Sequence, residues 1–349
     1  MLCHNHSLDR RGFLKAVSVS SLLNRNGARP SHAVDDPKMP ATPKLCLFSK
    51  HLRWITDFGR LADTVAQLNF EGVDLTVRSG GHISPERVED DLPKAVEAFR
   101  KVGVSIPMIT THIHDPADPL TRKILRTAAG MGIRLYRRDG EDRQGSRDPL
   151  KRIADLEKKI RGLVELNREY QMFAGIHNHS GFELGATPWE IYELVKNHSH
   201  QWIGSNFDVG HATVEGGLGG WRSGFWLLAS ALRIQMLAIK DFFWKKNGNQ
   251  WSPEFCPLGE GMVDFATFFS YLKITKFTGP ISMHFEYGLH NRPDSSRESD
   301  LLADIRRDQK VIKEWLQKAH LTAGSFGTLA DFNAQQLGRG GHPGLGLEA

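Results

Sequence analysis

The chain has 349 residues, 40% hydrophobic and 24% charged, with 34 Gly and 16 Pro, a composition that excludes disordered, collagen-like and coiled-coil proteins and suffices for one large core or two modest ones. No apolar run approaches the roughly 20 residues of a spanning helix, and three cysteines exclude a disulfide framework, so Cys46 and Cys256 read as small buried hydrophobes. The net charge of +5 is uneven: residues 1–33 carry Arg10, Arg11, Lys15, Arg25 and Arg29 against Asp9, a net of +4 that leaves +1 on the remainder and no basic footprint for nucleic acid or anionic lipid.

In chain order, the first feature is Asp9-Arg10-Arg11-Gly12-Phe13-Leu14-Lys15 followed by a weakly apolar segment. It resembles a twin-arginine export signal, with Ser31-His32-Ala33 as the small-residue cleavage site. The resemblance implies the twin-arginine export machinery as a partner and an exported or periplasmic location. If the leader does not function, the location is cytoplasmic. Residues 34–43, with Pro37, Pro40 and Pro43, read as a linker.

From residue 44 the pattern alternates. Short apolar runs at 44–49, 72–77, 104–111, 132–136, 172–177, 202–207, 235–240 and 280–286 predict strands. Amphipathic stretches at 56–69, 86–101, 120–130, 149–169, 187–197, 220–232, 263–274 and 298–319 predict helices. In 86–101, Val88, Leu92, Ala95, Val96 and Phe99 form one apolar stripe at helical spacing. Eight βα units over 44–319 predict an α/β fold, a single-domain (β/α)₈ TIM barrel. A doubly wound open sheet is the alternative, but no Gly-rich phosphate loop follows the first strand. Residues 320–349 read as a Gly-rich tail.

A barrel carries its chemistry at the C-terminal ends of its strands. There the chain places His112, His114, Arg137, His177, His179, Asp208, His211, Lys240, Asp241, His284 and Glu286. Residues two apart on a strand share a face, which would aim His177 with His179, and His284 with Glu286, at one site. Imidazole with carboxylate suits Mn²⁺, Zn²⁺, Co²⁺ or Fe²⁺ better than Mg²⁺. The expected metal ligands are His177, Asp208, Glu286 and His179; His112, His114 and His284 read as ordinary core or surface residues. Arg78 and Arg137 read as carboxylate or phosphate contacts, or equally as surface ion pairs. Trp54, Trp221, Trp226, Phe242, Phe243 and Trp244 read as lids or sugar platforms, or as packing.

Phe-Asp-x-Gly-His at 207–211, Lys240-Asp241, Pro-Leu-Gly-Glu-Gly at 257–261 followed by Val263-Asp264-Phe265, Glu286 and His-Asn-His at 177–179 bring a family into view. Over 44–318 the chain resembles the xylose isomerase-like TIM barrels. This group includes hydroxypyruvate isomerase, ketose 3-epimerases, inosose dehydratase and, more distantly, endonuclease IV. The resemblance implies a divalent metal at the barrel mouth, held by Asp208 and Glu286. It implies substrate or metal contact by His211 and approach of Lys240 to the substrate. Two positions depart from the family pattern. His177 stands where many members have a glutamate, and Ala238 stands where many have a metal-binding histidine. The His-Asn-His form is more similar to the inosose dehydratase branch, so His177 or His179 would replace the missing ligand and Glu183 would supply the missing carboxylate.

The expected chemistry is proton abstraction beside a carbonyl of a sugar or keto-sugar, with metal stabilisation of the enediolate. Glu183, His179 and Lys240 are the candidate bases, with His211 beside them; Arg78, Arg137, Asp241 and Glu260 are the expected substrate contacts. Reprotonation gives isomerisation or epimerisation; expulsion of a β-oxygen gives a dehydratase or lyase. The rivals are a non-catalytic sugar-binding barrel, an endonuclease IV-like enzyme, which the near-neutral body opposes, and a metal-free glycosidase using Asp208 and Glu286. The expected partner is a small-molecule sugar, and the barrel is compatible with an oligomer.

Overall fold

The computed structural model describes residues 43–138, 148–288 and 294–321. The twin-arginine-type leader, the linker up to residue 42 and the tail beyond residue 321 lie outside these residues. Ten strands are present among them: β1 (Leu45–Phe48), β2 (Gly72–Val77), β3 (Ser105–Thr111), β4 (Leu135–Arg138), β5 (Phe173–His177), β6 (Ile203–Asp208), β7 (Ile234–Ile239), β8 (Asp241–Asn247), β9 (Gln250–Cys256) and β10 (Ile281–Met283). The helices are α1 (Phe58–Gln67), α2 (Val88–Lys101), α3 (Pro119–Gly130), α4 (Pro149–Tyr170), α5 (Pro188–Val195), α6 (Val209–Ser230), α7 (Phe265–Ile274) and α8 (Glu298–Leu321).

Strands β1 to β7 and β10 form a closed parallel barrel in which β10 pairs with both β7 and β1. The fold is the expected TIM barrel. Strands β1, β2 and β6 are buried along their whole length, as parallel strands under a helical layer must be. Local signals start the helices. Asp118 and Asp148 each precede a proline and accept a backbone N–H from the first turn. Thr187 and Glu190 form a reciprocal capping box on α5.

Three elements differ from the sequence expectation. Helix α6 begins at Val209 rather than at 220, directly after β6, with Asp208 as its N-cap. The glycines at 216, 217, 219 and 220 break the helical pattern in the sequence, and Gly217 takes φ 54° at a kink inside the helical span. The second difference is an antiparallel hairpin, β8–β9, standing on β7 outside the barrel. Its two-residue turn is Gly248-Asn249, a hairpin signal the alternation reading passed over. Third, β10 stops at Met283, so His284 and Glu286 follow the strand instead of sharing one of its faces.

A buried polar link ties the barrel across its interior. The Asp74 carboxylate accepts hydrogen bonds from Thr110 Oγ1 on β3 and Ser282 Oγ on β10, both at 2.7 Å. Burial raises the Asp74 pKa, and these two hydroxyls oppose the rise. Asp74→Ala would leave two buried hydroxyls without an acceptor and lower stability by about 3 kcal/mol in urea unfolding. An unchanged urea midpoint would show that the link carries no stability.

Candidate active site at the barrel mouth

The strand ends surround a cavity of about 490 Å³. Phe48 comes from the end of β1 and Lys50 from the turn after it; Arg78 comes from the loop after β2, and His112 and His114 from the loop after β3. Arg137 comes from β4, His177 from β5 with His179 and Glu183 beyond it, Lys240 from the β7 end and Glu286 from beyond β10.

One cation lies between two carboxylates at the floor. Lys240 Nζ stands 2.8 Å from Glu286 Oε2 and 3.3 Å from Asp208 Oδ2. Lys50 Nζ holds the other Glu286 oxygen at 3.1 Å, and Lys240 lies 5.1 Å from the Phe255 ring centre. Asp208 is fully buried, and burial raises its pKa against the pull of Lys240. For Glu286 the balance is reversed: burial pushes its pKa up, but Lys240 and Lys50 hold it well below the usual carboxylate range.

The β5 and β6 ends are locked together. The Asn178 side chain accepts from the Asp208 N–H and donates to the Asp208 carbonyl, both at 2.8 Å. Asp208 Oδ1 accepts from the His211 N–H at 2.8 Å, which sets the start of α6 and presents His211 to the site. Ser180 Oγ lies 2.8 Å from His211 Nδ1 and fixes the ring. His177 Nε2 stands 3.7 Å from Asp208 Oδ2.

His177, Asp208 and His211 bring one donor atom each within 4.8 Å of one another. His177 Nδ1 and His211 Nε2 are buried without a hydrogen bond, and Asp208 Oδ2 is buried with Lys240 Nζ beside it at 3.3 Å. Burial first, with Lys240 and neighbouring cations, holds the pKa of both imidazoles well below its ordinary value and keeps them neutral, the form that ligates a metal. Two buried imidazoles, each with an unpartnered nitrogen, and a buried carboxylate fit a divalent transition metal. Of the expected ligands, His177 and Asp208 join this cluster. Glu286 is engaged by the two lysines, and His179 packs on His211 with ring centres 4.2 Å apart.

Other expected site residues fall elsewhere. Asp241 does not line the cavity: its oxygens accept the N–H groups of Phe242, Gly259, Gly261 and Val263 at 2.9–3.2 Å and shape the 257–263 loop. Gly259 takes φ 88°, and a Cβ on Gly261 would overlap the Asp241 carboxylate, which accounts for both glycines. Glu260 pairs with Arg307 on the exposed side of that loop. Trp221 packs on Phe268 and Tyr271, and Trp226 on Phe225 and Tyr271. His284 is buried and stacked on Phe48 at 4.5 Å, because the chain after β10 no longer follows strand alternation. The sequence reading missed Phe48, Lys50 and Phe255. A strand end reading Phe48-Ser49-Lys50 was the available signal for the first two.

The chain matches the family of xylose isomerase-like TIM barrels over residues 62–315. An uncharacterized protein of Methanocaldococcus jannaschii is 24% identical over 157 residues, 44% of this chain. The match spans about half the length of that curated relative, 46%. Among solved structures, a D-tagatose 3-epimerase-like protein is 18% identical with a TM-score of 0.61, covering 80% of this chain and all of the other. The IOLI protein with a bound zinc atom gives 13% and 0.63 over 79% of this chain and 99% of its own. A Mycobacterium smegmatis xylose isomerase-like barrel in complex with magnesium gives 16% and 0.60 over 80% of this chain and 98% of its own.

The site sets a pH dependence of stability. Burial holds His177, His211 and His284 neutral in the folded state, with pKa values well below 6.5. The unfolded chain takes up these protons once the pH drops below about 6.5, so stability is intact above that pH and falls beneath it. His284→Phe removes one such group and should flatten the slope of unfolding free energy below pH 6.5 by about 1.4 kcal/mol per pH unit. Denaturant titrations of both proteins at pH 7.5 and 5.5 measure the difference; parallel slopes would refute the neutral-imidazole assignment.

Proposed function

Because the chain belongs to the xylose isomerase-like TIM barrel family, we propose that it is a divalent-metal-dependent isomerase or epimerase that removes a proton beside the carbonyl of a sugar. The observation carrying this reading is the buried cluster of His177, Asp208 and His211, in which each imidazole keeps one nitrogen without a hydrogen bond, next to a cavity lined by acid–base groups. A bound divalent cation would supply the Lewis acidity that makes a proton next to a carbonyl removable. Solved structures of the same fold, a D-tagatose 3-epimerase-like protein and barrels with zinc or magnesium, agree with it.

The chain's own groups take the remaining roles. His179 Nδ1 lies 3.2 Å from the Ser180 carbonyl, which only accepts, so Nδ1 carries the proton and Nε2 is the basic nitrogen. Glu183 and His179 Nε2 are the bases that take the proton. Lys240 hydrogen-bonds a developing oxyanion while Asp208 and Glu286 hold its charge in place. Arg78 and Arg137, each within 6 Å of the Phe48 ring centre, orient the substrate. The twin-arginine-type leader supports an exported location.

A second outcome, β-elimination, is favoured by one observation. Epimerisation needs a base on each face of the reacting carbon, and here Glu286 is clamped by Lys240 and Lys50. Glu183 and His179 both follow β5, and bases supplied from one side serve elimination or one-sided isomerisation.

The test is elemental mass spectrometry with solvent-deuterium exchange. About one divalent ion per chain is expected in the wild type, lost in Asp208→Asn and His211→Ala while circular dichroism is unchanged. Glu183→Gln should slow exchange into a keto-sugar by about 100-fold or more. Folded protein that takes up no metal and exchanges no proton would leave a sugar-binding barrel in place of the enzyme.

A further inference from the structure

A second, smaller cavity of about 200 Å³ opens beside the first. The two share Lys50, Arg78 and His112. The smaller one adds Arg53 and the 79–81 loop, and no Asp or Glu among the described residues lines it. Arg53 and Arg78 therefore face a pocket without a lining carboxylate, and Lys50 joins them from the Glu286 carboxylate it holds at 3.1 Å. In the main cavity, four cations (Lys50, Arg78, Arg137, Lys240) meet three carboxylates, Glu183 and Glu286 in the lining and Asp208 against Lys240.

The walls of this side pocket are built before any ligand arrives. The Arg78 N–H donates to the Ile83 carbonyl at 2.9 Å, Ile83 N–H to the Thr76 carbonyl at 3.1 Å and Gly81 N–H to the Arg78 carbonyl at 2.9 Å. His82 bonds Thr76 Oγ1 through Nδ1 at 3.0 Å and lies 3.3 Å from the Leu52 carbonyl through Nε2, which ties the β2 loop to the β1 turn carrying Lys50 and Arg53. Arg78 is steered between the two cavities by His112 Nε2 at 3.2 Å and by the Phe48 ring. Lysine and arginine bond an oxyanion more strongly than the hydroxyls of a neutral sugar.

We propose that the pocket formed by Lys50, Arg53, Arg78 and the 79–81 loop is an oxyanion subsite, and that the substrate is an anionic sugar whose phosphoryl or carboxylate group sits there while its carbonyl end reaches the β5–β6 side of the main cavity. The proposal rests on the sugar-enzyme reading for the second half of that sentence only; the subsite itself is a binding claim. Anchoring a remote charge uses binding energy to hold the reacting end in register.

Calorimetric titration of the full chain tests it with four probes: a neutral hexose, its 6-phosphate, the corresponding hexuronate and inorganic phosphate. At least one anionic sugar should bind about tenfold or more tightly than the neutral one, with affinity falling as salt rises. Arg53 is exposed and lines only the side pocket, so Arg53→Ala should fold normally. It should weaken the anionic sugar about tenfold and leave the neutral hexose unchanged; Arg78→Gln should weaken the anionic sugar at least as much. Preference for the phosphate over the hexuronate identifies a sugar phosphate, and the reverse a sugar acid. Equal binding of neutral and anionic sugars, or anion binding indifferent to Arg53→Ala, overturns the subsite, including binding of inorganic phosphate that neither variant alters. The two readings fail separately. Anion preference sensitive to Arg53 without proton exchange keeps the subsite and removes the enzyme. Exchange on neutral sugars with a silent Arg53→Ala does the opposite.

Discussion

Charge burial at the barrel mouth is the constraint from which the rest of the site follows. Asp208 is fully buried, Lys240 is 2% exposed, and the Glu286 carboxylate sits against the same ammonium. No one of these ions could stay charged there alone, because the cost of removing it from water exceeds what a fold can spare. Lys240 therefore serves both carboxylates, and Lys50 completes the set from the rim. The imidazoles around this ion cluster respond in the opposite way. Burial and the adjacent ammonium hold His177, His211 and His284 neutral, so the floor combines fixed charge with lone-pair donors.

Precision comes from backbone clasps more than from side-chain packing. Asn178 grips Asp208 through two backbone hydrogen bonds, and Asp208 in turn caps α6 and delivers His211. Asp241 does the same for the following loop with four backbone N–H groups. Adjacent residues on the β7 edge thus divide the labour: Lys240 faces the cavity and Asp241 faces the loop. Side chains held by such reciprocal bonds need little reorganisation when charge develops on a substrate.

The asymmetry of the cavity has a topological origin. The β5, β6 and β7 ends supply the imidazole–carboxylate cluster and Lys240, while the β1 to β4 side supplies Lys50, Arg78 and Arg137. A ligand lying across the mouth meets acid–base groups at one end and fixed cations at the other. Phe48 stands between them, stacked on His284 and beneath both guanidinium groups.

Much of this was legible in the sequence because the physical signals are local. The βα period and the polar residues at strand ends each need only a few neighbouring residues to be read. They determined the barrel, its family resemblance and the presence of His177, Asp208, Lys240 and Glu286 at one mouth. Where those signals failed, the reason was also physical. The glycines of 216–220 hid the first turns of α6, and the end of β10 at Met283 turned His284 away from Glu286. Only the tertiary structure decided which groups meet: that Lys240 bridges two carboxylates, that His211 rather than Glu286 joins His177 and Asp208, and that Lys50, Arg53 and Arg78 share a pocket. Those partnerships depend on the direction each side chain takes across barrel closure, between residues as far as 236 apart in sequence, and no local pattern carries that information.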